Sequence, residues 1–254
     1  MGIETDQPSP GIVRITLANA ARRNALTLDM FTGLAELWPR LAADKSIRVV
    51  IITGEGDEAF CSGADLSANL AFRPGIDDLI DAAFLKTQYL PMPVIAAING
   101  ACVAGGLEIA LNADIRIAIE NAVFGLPEVR WGIMPSGGAS MKLADQIGQT
   151  FALDLLLSGR LVSAEEAQRI GLVGTILPKA GFQDAALRYA EAIARNSPVA
   201  VRATKKAVMA HRMAAYGERE ATERELAAQV RSSGHMSIGT RAFLEKRQPI
   251  YPDE

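Results

Sequence analysis

The chain has 254 residues, of which 49% are hydrophobic and 22% charged. That is enough to bury a core without disulfide or metal staples, and too apolar for a disordered chain. A formal net charge of −3, from 26 basic and 29 acidic residues, argues against a surface built to grip nucleic acid.

Only Cys61 and Cys102 are present; they form no CxxC pair, and two thiols in a chain this long suit a reducing compartment. The acidic start, Met1-Gly2-Ile3-Glu4-Thr5-Asp6, lacks the basic residues of a leader peptide, so a cytoplasmic location is expected. The uncharged stretch between Lys86 and Glu108 approaches membrane-spanning length. Pro91, Pro93, Asn99, Gly100, Gly105 and Gly106 interrupt it, and it reads as buried core with no membrane partner.

In chain order, Ile12–Leu17 and Arg48–Thr53 read as strands, the second apolar enough to be buried on both faces. Between them Thr27 is an N-cap for a helix through Met30, Phe31, Leu34, Leu37 and Leu41. Strand, helix and strand in this order favour a parallel sheet. A helix is expected over about 76–90, a strand at Val94–Ile98, a glycine-rich turn into a short helix, and a strand at Asp114–Ile119. From Gly137 onward the pattern is helical, interrupted by a β-like run at Leu172–Leu177. Pro198 starts a helix, and Tyr216–Arg231 is strongly charged and helical. The expected organisation is an α/β core over 1–195 followed by a helical region over 196–254.

Three segments carry more specific information. Ala59-Phe60-Cys61-Ser62-Gly63-Ala64-Asp65-Leu66 follows the buried strand. Ala97-Ile98-Asn99-Gly100 leads to Gly105-Gly106-Leu107-Glu108, where glycines open a helix. Helix-opening N–H groups lack intrahelical partners, and glycine admits a ligand close to the backbone, so an oxyanion can be held there. Phe124-Gly125-Leu126-Pro127-Glu128 places a carboxylate among apolar neighbours, where desolvation raises its proton affinity. Each segment alone also fits a plain structural role: close packing, a capped turn, a solvent-facing acid. Taken together, two acids and two glycine-flanked turns point to proton transfer beside a stabilised anion.

In this order the three segments resemble the crotonase (enoyl-CoA hydratase/isomerase) family, with similarity from Ile12 to Arg247. The resemblance implies a spiral of ββα repeats with a C-terminal helical trimerisation region, trimers or paired trimers (hexamers), and an acyl-CoA thioester substrate. It implies that the N–H groups of Ala64 and Gly105 polarise the thioester carbonyl. Glu108 manages the added water and Glu128 the Cα proton, with no metal and no cofactor beyond the coenzyme A of the substrate. Arg22, Arg23, Ala25 and Leu26 match a coenzyme A-binding segment, joined by Ser62, Gly63, Ala64, Asp65, Leu66, Gly105, Gly106 and Pro127. Phe243 and Lys246 match positions that reach a neighbouring subunit's site.

Three departures from the family pattern fall at Ala20-Ala21, at Ala101–Ala104 and at Pro135-Ser136, and they touch the acyl pocket. Family isomerases commonly lack an acid at the position of Glu108, so the presence of both acids favours hydration. Isomerisation and another 3-hydroxyacyl-CoA dehydration are the near alternatives. A non-catalytic acyl-CoA or RNA-binding relative is the distant one, for which Arg202, Lys205 and Lys206 form the best basic cluster.

Overall fold

A computed structural model describes residues 2–65 and 73–252; Leu66, expected to line the coenzyme A site, lies outside the described residues. Strands β1 (Gly2–Ser9), β2 (Ile12–Ala18), β3 (Val49–Gly54), β5 (Val94–Ile98), β7 (Ile115–Ile119) and β10 (Thr175–Leu177) form one sheet, ordered β1-β2-β3-β5-β7-β10. All its pairings are parallel except β1 with β2. A second sheet, ordered β4-β6-β8-β9, holds Ala59–Cys61, Ala101–Val103, Val123–Gly125 and Leu161–Ser163. Each turn of the chain therefore gives one strand to each sheet: β3 then β4, β5 then β6, β7 then β8. This alternation is the spiral.

The first sheet forms where β-branched runs are longest. Val49-Val50-Ile51-Ile52 is buried on both faces, as a central parallel strand requires. Helix α7 (Phe182–Ala194) lies on that strand, while helix α1 (Leu28–Ala43) packs on β1 and buries Met30, Phe31, Leu34, Leu37, Trp38 and Leu41, with Thr27 Oγ1 accepting the Met30 N–H at 3.3 Å as the N-cap. The strands of the second sheet include three-residue pieces whose side-chain pattern is too short to read from sequence.

Helix α2 (Ile76–Ala83) ends earlier than the apolar spacing predicts. Leu85 takes a left-handed φ of 52°, turning Phe84 and Lys86 inward, so the apolar residues up to Leu90 are buried without being helical. Helices α3 (Gly105–Asn112), α4 (Ala139–Ile147), α5 (Gln149–Ser158), α6 (Ala164–Arg169) and α7 (Phe182–Ala194) follow. The chain then runs through one 35-residue helix, α8 (Pro198–Ser232), and the shorter α9 (His235–Leu244). No helix of the described residues is long and apolar enough to cross a membrane.

The basic cluster on α8 is used internally. Lys205 Nζ reaches Asp114 Oδ2 and the Met92 carbonyl, while Arg202 donates to the carbonyls of Lys45 and Ile47. These two cations anchor α8 to the sheet and are not displayed as a stripe.

Candidate active site

Two backbone turns meet at the start of α3. Strand β6 ends at Val103, and the next residue, Ala104, donates its N–H to the Gly125 carbonyl at 2.9 Å. Ala104 then adopts φ 51°, ψ −131°, swinging the chain abruptly into α3. The Leu107 and Glu108 N–H groups both bond to the Ala104 carbonyl. The Gly105 N–H, one turn too early for an intrahelical bond, has no acceptor among the described residues.

The other turn follows β4. Leu26 donates to the Gly63 carbonyl and accepts from the Asp65 N–H. In this parallel bridge the Ala64 N–H between them faces away from Leu26, and it too has no acceptor among the described residues. Gly63 carries φ 95°, and a Cβ there would lie 2.8 Å from Ala104 Cβ and 3.2 Å from Gly105 N. At Gly106 a Cβ would lie 2.3 Å from the Cys61 carbonyl oxygen. Glycine is therefore required at both positions for the turns to touch, and their touching brings Ala64 and Gly105 together.

Glu108, in the first turn of α3, is 5% exposed. Its Oε1 accepts the Ala139 N–H, the first of α4, at 3.2 Å. Its other oxygen packs where a Cβ on Gly137 would stand. Burial pushes the Glu108 carboxyl up to about 7, helped by the charge of Glu223 and opposed by the Ala139 and Gly137 N–H groups and by Lys86.

Glu128 follows Pro127 on a 3-10 turn, Pro127–Trp131, and is 8% exposed. It is buried, so the solvent-facing alternative is excluded. Its Oε2 has no hydrogen-bond partner among the described residues. Burial, and then the charge of Glu108, hold its carboxyl well above the usual range. The two acids, distant in sequence, thus sense each other. Phe84 closes the same space, 3.1 Å from the Cβ position of Gly105 and beside Gly137. Phe84 carries no mark in the sequence, whereas Gly137 and Gly138 stand out there as paired glycines before a helix.

The segments expected to bind coenzyme A divide. Arg22 and Arg23 are exposed, with Arg22 Nη1 3.1 Å from Asp65 Oδ2 and Arg23 3.9 Å from Glu58. Ser62 is half-buried, its Oγ donating to the Arg22 carbonyl at 3.3 Å. Ala25 and Leu26 are buried, and their backbone groups bond to Asn19, Arg22, Gly63 and Asp65. They hold the Ala64 turn in place.

Phe243 is 44% exposed. Its ring stands edge-on to Trp131 of the same chain, centroids 5.1 Å apart. Helix α9 packs so closely on the Glu128 turn that a Cβ on Gly239 would lie 1.9 Å from the Trp131 carbonyl oxygen. That in-chain contact, absent from any local pattern, seats α9 on the Glu128 turn. Lys246, exposed, ends α9 with φ 55°.

Comparison with known proteins agrees with this geometry. The family model described as enoyl-CoA hydratase/isomerase matches residues 7–254. An enoyl-CoA hydratase of Mycobacterium tuberculosis is 37% identical over 245 residues, covering 93% of this chain and 91% of the relative. A 2,3-dehydroadipyl-CoA hydratase of Escherichia coli is 35% identical, covering 94% of each. The crystal structure of an enoyl-CoA hydratase from Mycobacterium avium subsp. paratuberculosis superposes with a TM-score of 0.90 at 29% identity, covering 100% of this chain and 99% of that one. With the spiral, the two glycine turns and the paired buried acids, these matches place the chain in the enoyl-CoA hydratase/isomerase (crotonase) family.

Proposed function

We propose that the protein is an enoyl-CoA hydratase of acyl-CoA and fatty acid metabolism, adding water across the 2,3 double bond of a 2-enoyl-CoA thioester. The observation that carries this reading is the difference between its two buried carboxyls. Glu108 is supported by N–H donors that favour its anion, whereas Glu128 has an unpartnered oxygen and a carboxylate beside it. Close to neutral pH such a pair holds one proton, and it sits on Glu128.

The chemistry then balances. The thioester oxygen lies between the Ala64 and Gly105 N–H groups. Ionised Glu108 takes a proton from water as its oxygen bonds to Cβ, and the π electrons move toward the carbonyl to form an enolate. The two N–H donors stabilise that oxyanion. Glu128 delivers its proton to Cα, and transfer of the proton from Glu108 back to Glu128 resets the pair. No step calls on a metal or redox group.

Arg22, Arg23 and Lys246 supply exposed positive charge for the nucleotide phosphates. Ser62, Gly63, Asp65, Gly106 and Pro127 frame the two turns and the acid. Leu153 and Leu157, both exposed and four residues apart on α5, share one helix face, an apolar surface that supports assembly into a trimer or a pair of trimers. Two buried free thiols, Cys61 and Cys102, fit a cytoplasmic protein.

The test is steady-state hydration of 2-enoyl-CoA thioesters of several chain lengths by wild type, Glu108→Gln and Glu128→Gln. Each variant is expected to lose at least ~10²-fold in kcat. In the wild type kcat/KM is expected to fall as pH drops through about 7, where Glu108 of the free enzyme gains its proton. Near-wild-type turnover by either variant refutes its role.

A further inference from the structure

Three helices meet behind Glu108. Lys86, on the turn after α2, is 1% exposed, and its Nζ lies 2.6 Å from Glu223 Oε2 and 3.2 Å from Asp81 Oδ1. Glu223 comes from α8 and is itself buried. Its second oxygen accepts a hydrogen bond from Ser140 Oγ. Ser140 is the second residue of α4, and the N–H of the first, Ala139, is the donor that holds Glu108. A fully buried ion pair therefore ends one residue from the group that positions a carboxyl of the site.

The setting explains why packing is an insufficient account. Helix α8 is already clamped to α2 by ion pairs nearer the surface, Arg224 with Asp78 and Asp81, and Arg231 with Asp77. Burying another pair adds little stability, because removing two charges from water offsets their attraction, and an apolar pair of the same volume often does as well. The contact of Glu223 with the opening turn of α4 gives the pair a different use.

We propose that Glu223 and Lys86 are positioning residues for Glu108, fixing the start of α4 against its carboxyl through Ser140 and Ala139 and setting the local field. This rests on the reading of Glu108 as the group that activates water. Five charged or titratable groups face that space. Glu223 on α8 opposes a negative charge on Glu108 while Lys86 favours it. Lys142, one turn along α4, interacts favourably with both Glu108 and Glu223. Asp81 on α2 binds Lys86, and Glu128 faces Glu108 from the 3-10 turn.

The experiment uses the full chain and crotonyl-CoA, with Glu223→Gln and Ser140→Ala assayed beside Glu108→Gln. Glutamine keeps an oxygen for Ser140 and removes the charge. Glu223→Gln is expected to lower kcat by about tenfold with KM within about twofold of wild type. The acid limb of its kcat–pH profile should move to lower pH, because a charge opposing Glu108 ionisation has gone. Ser140→Ala leaves the charges in place; it should lower kcat by roughly three- to tenfold with that limb unmoved.

A purely structural pair predicts lower melting temperatures but unchanged kcat per folded molecule and an unchanged acid limb; that outcome overturns the proposal. If Glu223→Gln does not fold, Ser140→Ala decides, and wild-type kcat there overturns it equally. Inactive Glu108→Gln beside wild-type-like Glu223→Gln and Ser140→Ala refutes this inference alone. Active Glu108→Gln refutes the hydratase reading instead.

Discussion

Replacing Glu108 by Gln should raise stability while abolishing turnover, and the gain should depend on pH in a defined way. Glu108 has its carboxyl pushed from 4.5 up to about 7 in the folded protein. A group whose proton affinity is raised by folding contributes its full stability below the unfolded pKa and loses it as pH rises through the folded one. For Glu108 that window runs from 4.5 to about 7, and the loss across it is about 3 kcal/mol. Glutamine is never ionised and escapes the loss. It gives up one acceptor for the Ala139 or Gly137 N–H, a pH-independent cost of about 1 kcal/mol.

The stability of the variant minus that of the wild type should therefore climb by about 3 kcal/mol across the window and stay flat above it. At pH 8 the net gain is about 2 kcal/mol, or roughly 4–8 °C in melting temperature for a chain of this size. Urea unfolding at a fixed protein concentration, repeated across this pH range, measures the difference, and carboxylates that do not interact with Glu108 cancel between the two proteins. A difference that stays constant through the window means that Glu108 titrates as an ordinary surface acid, and the argument fails.

Other perturbations read other parts of the site. Glu108→Ala should lose hydration yet keep slow deuterium exchange at Cα of a saturated acyl-CoA, since Glu128 and two N–H donors still support an enolate. Glu128→Ala should lose both, and hydration surviving in Glu108→Ala would mean that the reaction is misassigned. Ala104→Gly should stabilise by about 1 kcal/mol by relieving a conformation that costs a side-chain-bearing residue about 1–3 kcal/mol; unfolding midpoints test this, and a loss of stability contradicts it. Gly239→Ala should push α9 off the Trp131 carbonyl. Faster proteolysis of the C-terminal segment and a lower kcat are expected, and neither occurs if α9 merely rests on the surface.

How much of this was legible beforehand depended on the range of the interaction. The parallel strands and α1 show themselves because burial on a sheet or against it imposes a period, as in Val49–Ile52 and Met30–Leu41. The end of α2 does not, because Phe84 and Lys86 stay buried after the helix stops, so the apolar spacing continues with no helix beneath it. Ala25 and Leu26 show a related effect: a motif match does not reveal that they are buried and brace the Ala64 turn. Glu108 and Glu128 were found through their motifs, but their meeting was not visible, since convergence depends on the spiral returning three segments to one place. Lys86 and Glu223 had no local mark. The first stands alone at the edge of an uncharged stretch, and the second is one acid among many on a charged helix.

The paired acids give this site its economy. Hydration needs a base and an acid present together, and two carboxyls in identical surroundings that did not interact would be both ionised or both protonated over most of the pH range. Here the surroundings differ. The N–H groups at the start of α4 favour the Glu108 anion, whereas Glu128 receives no comparable support at Oε2. Once Glu108 is ionised, its charge further opposes ionisation of Glu128, so the act of forming the base preserves the acid. The interval between the two proton losses is thereby widened by the pair itself. Under the proposed roles that interval is the pH range in which the enzyme works, and its lower edge is the one Glu223 and Lys86 adjust.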